Sequence, residues 1–149
     1  MRALVQRIAW GEVEVDGSIV GRVETGLLVY VGVGVDDAKE DAEWLAEKVA
    51  NLRIFQDDEG KLNLSVRDAR GGVLAVSNFT LLADARKGRR PAFTAAAGSE
   101  QARPIHEAFL AGLRGRGVPV ETGVFGAKMA VRSQAAGPVN VIIDSPARP

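Results

Sequence analysis

Two short segments of this chain combine residue types in an order that could do chemistry. In the first, Ser77 to Thr80 (S-N-F-T), hydroxyl and amide side chains follow directly on the apolar run Val73 to Val76. A hydroxyl in such a place can attack a substrate or orient water. The same hydroxyls can instead satisfy loop backbone or face solvent, and the segment by itself favours that structural role.

The second segment is Gly137 to Asn140 (G-P-V-N), which stands against a β-branched apolar run ending at Ile143. A Gly-Pro step before a strand is commonly a simple turn. It is also the kind of peptide bond for which the cis form costs only about 0.5–1 kcal/mol, and a cis bond reorients two carbonyls. The residues alone leave both interpretations open.

The remaining titratable residues indicate no catalytic pair and no metal site. The chain has one histidine, His106, and no cysteine, so a zinc site is not indicated. His106 is predicted to be a surface or half-buried residue of a helix. The carboxylate pairs at positions 36–37 and 57–58 stand where helix capping and turn formation explain them. We therefore expect neither a metal ion nor a cofactor.

A weak match to a dinucleotide-binding fingerprint occurs at Gly32-Val33-Gly34. The third glycine of that fingerprint is missing, and Asp36 and Asp37 would place negative charge where a pyrophosphate should bind. The glycines are predicted to form a tight strand-to-helix turn.

Composition predicts one globular domain covering residues 1–149, because 46% of the residues are hydrophobic. The 19 basic and 19 acidic residues cancel, so any RNA partner must be bound by a local patch, and no DNA partner is expected. The absence of cysteine and of a long apolar segment favours a cytoplasmic protein without a membrane partner.

Hydrophobic periodicity predicts a strand-rich α/β domain with two main helices on a mixed sheet. The first helix should begin near Asp37, with Glu40 at capping-box spacing, and the second should cover Ala102 to Leu113, with Pro104 in its first turn or kinking it. The run Gly26 to Val33 should be a central strand covered on both faces. The other predicted strands are Arg2–Ile8, Val13–Val15, Ile19–Val23, Arg53–Phe55, Leu62–Leu64, Val73–Val76, Val118–Thr122, Met129–Val131 and Val139–Ile143.

Several segments in the same order make the chain resemble the D-aminoacyl-tRNA deacylase family, whose members remove D-amino acids from tRNA. The similarity runs from end to end of the chain. It is carried by A-L-V-Q-R, G-L-L-V-Y-V-G-V, R-I-F-Q-D-D-E-G-K-L-N-L, V-S-N-F-T-L, R-K-G-R-R-P-A-F, T-G-V-F-G-A-K-M and G-P-V-N. Family proteins usually carry Gln where this chain has Asn78, Thr where it has Asn140, and an acidic residue where it has Lys128.

The resemblance implies a homodimer of single α/β domains, with helices on one side of layered sheets. It also implies a cis bond between Gly137 and Pro138, and it implies that this segment, with Val139, enters the active site of the partner subunit. The two carbonyls would receive the substrate's α-amino group and leave no room for an L side chain. Glycine fits such a wall because it has no Cβ.

For catalysis, the resemblance implies that the 2′-hydroxyl of the terminal adenosine of the tRNA assists deacylation. The protein would supply position and backbone donors from Ser77, Asn78, Phe79 and Thr80, with the N–H groups of Asn78 and Phe79 as candidate oxyanion donors. Thr80 is the alternative nucleophile, although no base stands near it in sequence, and a supporting hydrogen bond is the favoured role.

A cluster of basic residues is predicted to bind the phosphates of the tRNA, although a solvated loop explains it as well on sequence alone. It lies in the polar, linker-like stretch from Asp84 to Gly98, and Arg7 is expected to line the site too. The basic residues are Arg86, Lys87, Arg89 and Arg90.

Two other functions remain open from the sequence. One is a non-catalytic tRNA-binding module that uses the same basic patch. The other is a relaxed relative that removes L-alanine from mischarged tRNA, against which the S-N-F-T segment argues, because it follows the D-specific pattern. Glycyl-tRNA is a further expected substrate of the D-specific enzyme, since glycine has no side chain to reject.

Overall fold

The centre of the sheet is one long strand, β1 (Arg2–Val15), which is paired along both edges in the computed structural model that describes residues 1–147. One edge pairs with β3 (Gly26–Gly32) and then with β2 (Ser18–Val23), and the other edge pairs with β8 (Ala130–Asp144). All three pairings are antiparallel. The predicted strands Arg2–Ile8 and Val13–Val15 are therefore parts of the one strand β1, and Met129–Val131 and Val139–Ile143 correspond to the two ends of β8. Hydrogen bonds to the neighbouring strands maintain the ladder where the apolar alternation breaks.

The rest of the sheet is parallel. Strand β6 (Gly72–Ser77) pairs with β3, and β7 (Val120–Thr122) pairs with β6, so that β3, β6 and β7 continue the sheet on one side of β1, with β8 on its other edge. A separate hairpin joins β4 (Phe55–Gln56) to β5 (Leu62–Leu64). The sheet is mixed, as the sequence predicts.

Alternate residues of the central strands enter two different cores. Leu27, Val29 and Val31 of β3 belong to the larger core, which also contains the buried faces of both helices. Leu28 belongs to a smaller core with Leu74 of β6 and with residues of β1 and β2. The prediction that the third strand is covered on both faces is therefore confirmed. The predicted fold class, one α/β domain with two helices on one side of its sheet, is confirmed as well.

The first helix, α1 (Lys39–Asn51), begins two residues later than predicted, and the predicted capping pair Asp37 and Glu40 is wrong. The Ala38 N–H donates to the Asp41 carboxylate at 2.8 Å. Asp37 is instead the acceptor for the Gly34 N–H and for the amino group of Met1, the latter at 2.6 Å. Its carboxylate thus holds the turn that precedes the helix.

The second helix, α2 (Ser99–Gly115), begins three residues earlier than predicted. Pro104 therefore lies in its second turn instead of the first, and the helix continues beyond it to Gly115. Proline removes one N–H donor from the helix, which a long amphipathic helix tolerates because packing of its apolar face supplies most of its stability. No helix within residues 1–147 is long and apolar enough to cross a membrane.

His106 is buried, with a relative exposure of 5%, so the prediction of a surface or half-buried side chain is wrong. The buried face of α2 includes His106 next to Ile105. The rings of Phe109 and Phe125 lie 6.5 and 5.8 Å from the imidazole, centroid to centroid. Burial lowers the pKa of the imidazole to about 4.

The two helices approach each other closely at Gly112. A Cβ placed on Gly112 would lie 2.7 Å from the Cβ of Ala46 in α1 and 3.0 Å from a carboxylate oxygen of Glu43. Gly115, in the last turn of the same helix, has nothing within 4 Å of a Cβ position. The absence of a side chain at position 112 therefore sets the distance between the helices.

Replacing Gly112 by Ala should lower the free energy of unfolding by about 1–2 kcal/mol, since the clash outweighs the gain of about 1 kcal/mol in helix propensity. The matched change Gly115→Ala should be neutral or slightly stabilising. Urea unfolding of both variants measures the difference. Equal stabilities would show that the helices can separate at no cost.

Acidification should destabilise the protein through His106. Below pH 6.5 the unfolded chain protonates this side chain, whereas the folded protein, with a pKa of about 4, keeps it neutral. The loss begins as the pH falls below 6.5 and levels off near pH 4. The free energy of unfolding should thus fall by about 2 kcal/mol between pH 7 and pH 5.

Urea unfolding at a series of pH values measures this slope. The control is His106→Phe, which keeps a ring but cannot titrate, and it should show little slope over the same range. If the free energy of unfolding falls equally with pH in the two proteins, groups other than His106 cause the acid sensitivity.

Candidate active site

A pocket of about 510 Å³ opens where β3 and β6 end, beside the beginning of α2. The carboxyl ends of adjacent parallel strands meet at one edge of a sheet, which is where open α/β sheets commonly bind ligands. The pocket is lined by Tyr30, Val31, Val33, Val76, Ser77, Asn78, Phe79, Ala97, Gly98, Ser99, Ala102, His106, Phe125, Gly126, Ala127, Met129 and Val131.

The S-N-F-T segment reaches the pocket through three of its four residues, Ser77, Asn78 and Phe79. The Asn78 N–H donates to the carbonyl of Val31 at 2.8 Å, which extends the pairing of β3 with β6. Phe79 then begins a short 3-10 helix, Phe79–Leu82. The segment is therefore a strand end that turns directly into a helical turn.

The side chain of Asn78 caps this turn. Its Oδ1 accepts the Thr80 N–H at 3.1 Å and also accepts the Thr80 hydroxyl. The Thr80 hydroxyl thus donates its hydrogen to an amide oxygen, and no basic side chain accepts it in this arrangement. The geometry agrees better with a supporting hydrogen bond than with a nucleophile.

The two predicted oxyanion donors differ in availability. The Asn78 N–H is already bonded to Val31, whereas the Phe79 N–H stands at the first position of the 3-10 helix, where helical geometry provides no acceptor. The Phe79 ring is 56% exposed and packs edge-to-face on Phe93, with 5.1 Å between ring centroids. Phe79 therefore offers both a main-chain donor and an exposed aromatic surface at the pocket.

No charged side chain of residues 1–147 lines the pocket, but positive charge lies at its border. Gly98 and Ser99 form the N-terminal end of α2, which carries a partial positive charge, and the lining residues include no Asp or Glu. Next to them, the Arg103 guanidinium lies 4.6 Å from the centroid of the Phe125 ring. Such surroundings favour a ligand that carries negative charge or hydrogen-bond acceptors.

The Gly137-Pro138 peptide bond is cis, as the resemblance implies. Both residues are exposed, and neither lines the pocket of its own chain. They lie in an irregularity of the β1–β8 ladder, whose register changes from Gln6 opposite Asn140 to Ile8 opposite Ala135. The extra residues of β8, 136–139, form a bulge.

Glycine is required by the geometry of this bulge. Gly137 has a φ of +126°, and a Cβ there would lie 2.9 Å from Val139 Cγ2 and 3.0 Å from Arg7 Nη2. The Arg7 guanidinium donates to the Ala136 carbonyl at 3.0 Å and to the Ile54 carbonyl at 2.9 Å. Arg7 thus anchors the bulge, and its predicted contact with tRNA stays a prediction.

The predicted basic cluster lies on an exposed loop. Asp84 and Ala92 exchange two main-chain hydrogen bonds of 2.8 Å, which close the loop. Arg86 is bonded to the Asp84 carboxylate at 2.7 Å, and this contact lowers the pKa of that carboxyl. Lys87, Arg89 and Arg90 are exposed between the two closing residues.

Sequence reasoning missed Tyr30, His106 and Phe125 as pocket residues. Tyr30 is part of G-L-L-V-Y-V-G-V and Phe125 is part of T-G-V-F-G-A-K-M, so these two could have been found from the segments that carry the resemblance. His106 lies outside those segments. Asn140, in contrast, is not among the residues that line the pocket. Its Oδ1 accepts a hydrogen bond from the Gln6 side-chain N–H at 3.0 Å within the ladder.

The chain is similar to known proteins over essentially its whole length. A D-aminoacyl-tRNA deacylase of Thermus aquaticus is 52% identical over 100% of this chain and 98% of its own, and one of Chloroflexus aurantiacus is 56% identical over 97% and 91%. A solved structure named c-Myc DNA Unwinding Element Binding Protein superposes with a TM-score of 0.93, at 37% identity over 99% of this chain and 100% of that chain.

A second structure, described as a probable eukaryotic D-amino acid tRNA deacylase, has a TM-score of 0.81 at 20% identity, covering 95% of this chain and 97% of its own, and supports the fold alone. The sequence pattern of D-Tyr-tRNA(Tyr) deacylase matches residues 4–144, which include both the pocket segment and the Gly-Pro bulge. The chain therefore belongs to the D-Tyr-tRNA(Tyr) deacylase family.

Proposed function

We propose that this protein hydrolyses the ester bond of D-aminoacyl-tRNA and releases free amino acid and tRNA. The observation that carries this proposal is the match over residues 4–144, which covers both predicted site segments, together with full-length relatives named D-aminoacyl-tRNA deacylase. Glycyl-tRNA would be a second substrate. The site of action would be the cytoplasm, where aminoacyl-tRNA is used in translation.

In the proposed reaction the ester lies in the pocket with its carbonyl oxygen near Phe79. The Phe79 N–H would donate to the oxygen as negative charge develops on it, and the positive end of α2 at Gly98 and Ser99 would add to this stabilisation. The lining offers no base with a pKa near 7, since burial holds that of His106 near 4. Assistance by the 2′-hydroxyl of the tRNA fits such a site.

The chirality filter would come from a second copy of the chain. Gly137 and Pro138 are exposed and lie outside the pocket of their own chain, which supports a role at the pocket of another. On the same strand, Ile142 is 67% exposed, as expected of a strand that a partner covers. The carbonyls of Gly137 and Pro138 would receive the substrate's ammonium group, and Val139 would support the wall.

The acceptor end of the tRNA would be bound by exposed cations. The loop with Arg86, Lys87, Arg89 and Arg90 supports this role by its charge and exposure, and Arg7 would contribute from the bulge. Binding of this kind weakens as salt rises, because it releases counterions. Since the net charge is zero, contact with tRNA depends on this local patch.

Two other functions are to be compared directly with the proposed one. A non-catalytic tRNA-binding module would use the same loop, and one solved relative is named as a DNA-binding protein. A relaxed relative that removes L-alanine would share the fold. The number of esters hydrolysed per protein molecule separates the binding module from the proposed enzyme. The preference for D over L substrates separates the relaxed relative from it.

Catalytic amounts of the protein should release D-tyrosine from D-Tyr-tRNA many times over, without added metal, and leave L-Tyr-tRNA intact. The expected selectivity follows from a wall that excludes L side chains. Release of labelled amino acid under identical conditions measures both reactions. L-Ala-tRNA and glycyl-tRNA serve as further substrates. Protection of all esters would support the binding module, and hydrolysis of L-Ala-tRNA would support the relaxed relative.

Replacing Gly137 by Ala should reduce hydrolysis of D-Tyr-tRNA on the order of 100-fold, because the new Cβ displaces Val139 or Arg7 and moves the carbonyls of the wall. The matched control is Gly17→Ala in the turn between β1 and β2. Gly17 has a φ of +80° but nothing within 4 Å of a Cβ position, so it tests backbone strain far from the site. If both variants lose activity equally, the effect is one of stability and not of the bulge.

A further inference from the structure

His106 contains the one buried side-chain nitrogen or oxygen atom within residues 1–147 that has no hydrogen-bond partner. This atom is Nδ1, and the ring lies in the wall of the active-site pocket with a residue exposure of 5%. A buried polar atom without a partner costs roughly 1–3 kcal/mol. Native proteins contain few such atoms, and each calls for a reason beyond packing.

The environment of Nδ1 determines which ring nitrogen carries the proton. The neighbours of the imidazole are the rings of Phe109 and Phe125, which offer no good acceptor. An unpaired buried N–H is rarer in proteins than an unpaired acceptor, so Nδ1 should be the bare nitrogen and Nε2 should carry the hydrogen. Nε2 is not among the buried unpaired atoms, and the described residues show no hydrogen bond to it, so this nitrogen keeps some solvent contact. Because His106 lines the pocket, we take the pocket to be the opening that Nε2 reaches.

The imidazole is therefore a neutral, rigidly packed donor in a pocket that contains few others. The lining side chains that can donate a hydrogen bond are, besides His106, those of Tyr30, Ser77, Asn78 and Ser99. Because the ring is held between aromatic neighbours, its donor would lose little conformational freedom when a ligand binds.

We infer that the Nε2–H of His106 donates a hydrogen bond to an acceptor atom at the ester end of the aminoacyl-tRNA, and so positions the substrate in the pocket. The acceptor is a neutral oxygen or ring nitrogen, belonging either to the terminal nucleoside or to the aminoacyl group. This inference rests on the proposed function, which it extends by assigning a specificity-determining residue. His106 moves no proton in the reaction.

Two substitutions separate this role from packing. His106→Phe keeps the ring and removes both nitrogens, so it should fold with equal or higher stability because it removes an unpaired buried atom. His106→Gln restores an amide N–H at the reach of Nε2. The KM for D-Tyr-tRNA should rise roughly 3- to 10-fold in the Phe variant with little change in kcat. In the Gln variant the KM should lie close to that of the wild-type protein.

Because the chain contains a single histidine, its ring nitrogens can also be observed directly by ¹⁵N NMR. The free protein should show the Nε2–H form. Adenosine 5′-monophosphate probes the nucleoside half of the substrate and D-tyrosinamide probes the aminoacyl half. The probe that shifts the Nε2 signal identifies the half that carries the acceptor. The amide signals of Phe79 and Gly98 report whether the pocket is occupied.

The results distinguish this inference from the proposed function. An inactive wild-type protein whose Nε2 signal still moves with a probe would refute the deacylase function and retain the donor. An active protein would overturn the donor if its Phe variant keeps the wild-type KM, if its Gln variant is as impaired as the Phe variant, or if an occupied pocket leaves the imidazole signals unmoved. Where neither probe occupies the pocket, the KM values of the two variants decide.

Discussion

The pairing of β1 along both of its edges is the constraint on which the rest of the structure depends. Through β3 it fixes β6, whose end leads into the pocket segment at Ser77. Through β8 it holds the bulge with Gly137 on the opposite edge. Since one strand supports both features, a shift of β1 would displace both. A one-residue slip would also exchange the core and solvent faces of the strand.

Much of the architecture could be predicted because local patterns and tertiary packing agree. The run from Gly26 to Gly32 is apolar on both faces, and the structure buries both faces in separate cores. The first helix is likewise amphipathic, and its buried face includes Ala42, Leu45 and Val49. Boundaries were less predictable because they depend on contacts with distant residues. Asp37 does not cap α1, since its carboxylate binds the amino group of Met1 and the N–H of Gly34.

The site was predictable in part, for a related reason. Ser77 to Phe79 stand out in sequence because polar residues follow a buried strand, and they do line the pocket. The burial of His106 could not be read from its helix alone, since it depends on Phe125, which lies beyond β7. The anchoring of the bulge by Arg7 likewise joins residues 129 positions apart, Arg7 and Ala136, through a single hydrogen bond. Sequence periodicity carries no information on such contacts.

The cap at Asn78 has a consequence for sequence variation at the site. Its side-chain oxygen is turned back onto the two donors of Thr80, and its N–H is bonded to Val31. The polar group that this turn leaves free for a ligand at its first helical position is therefore the main-chain N–H of Phe79, and every amino acid except proline has such a group. A change of residue at position 78 would alter the shape of the opening and the rigidity of the turn, while the reactive groups themselves would stay the same.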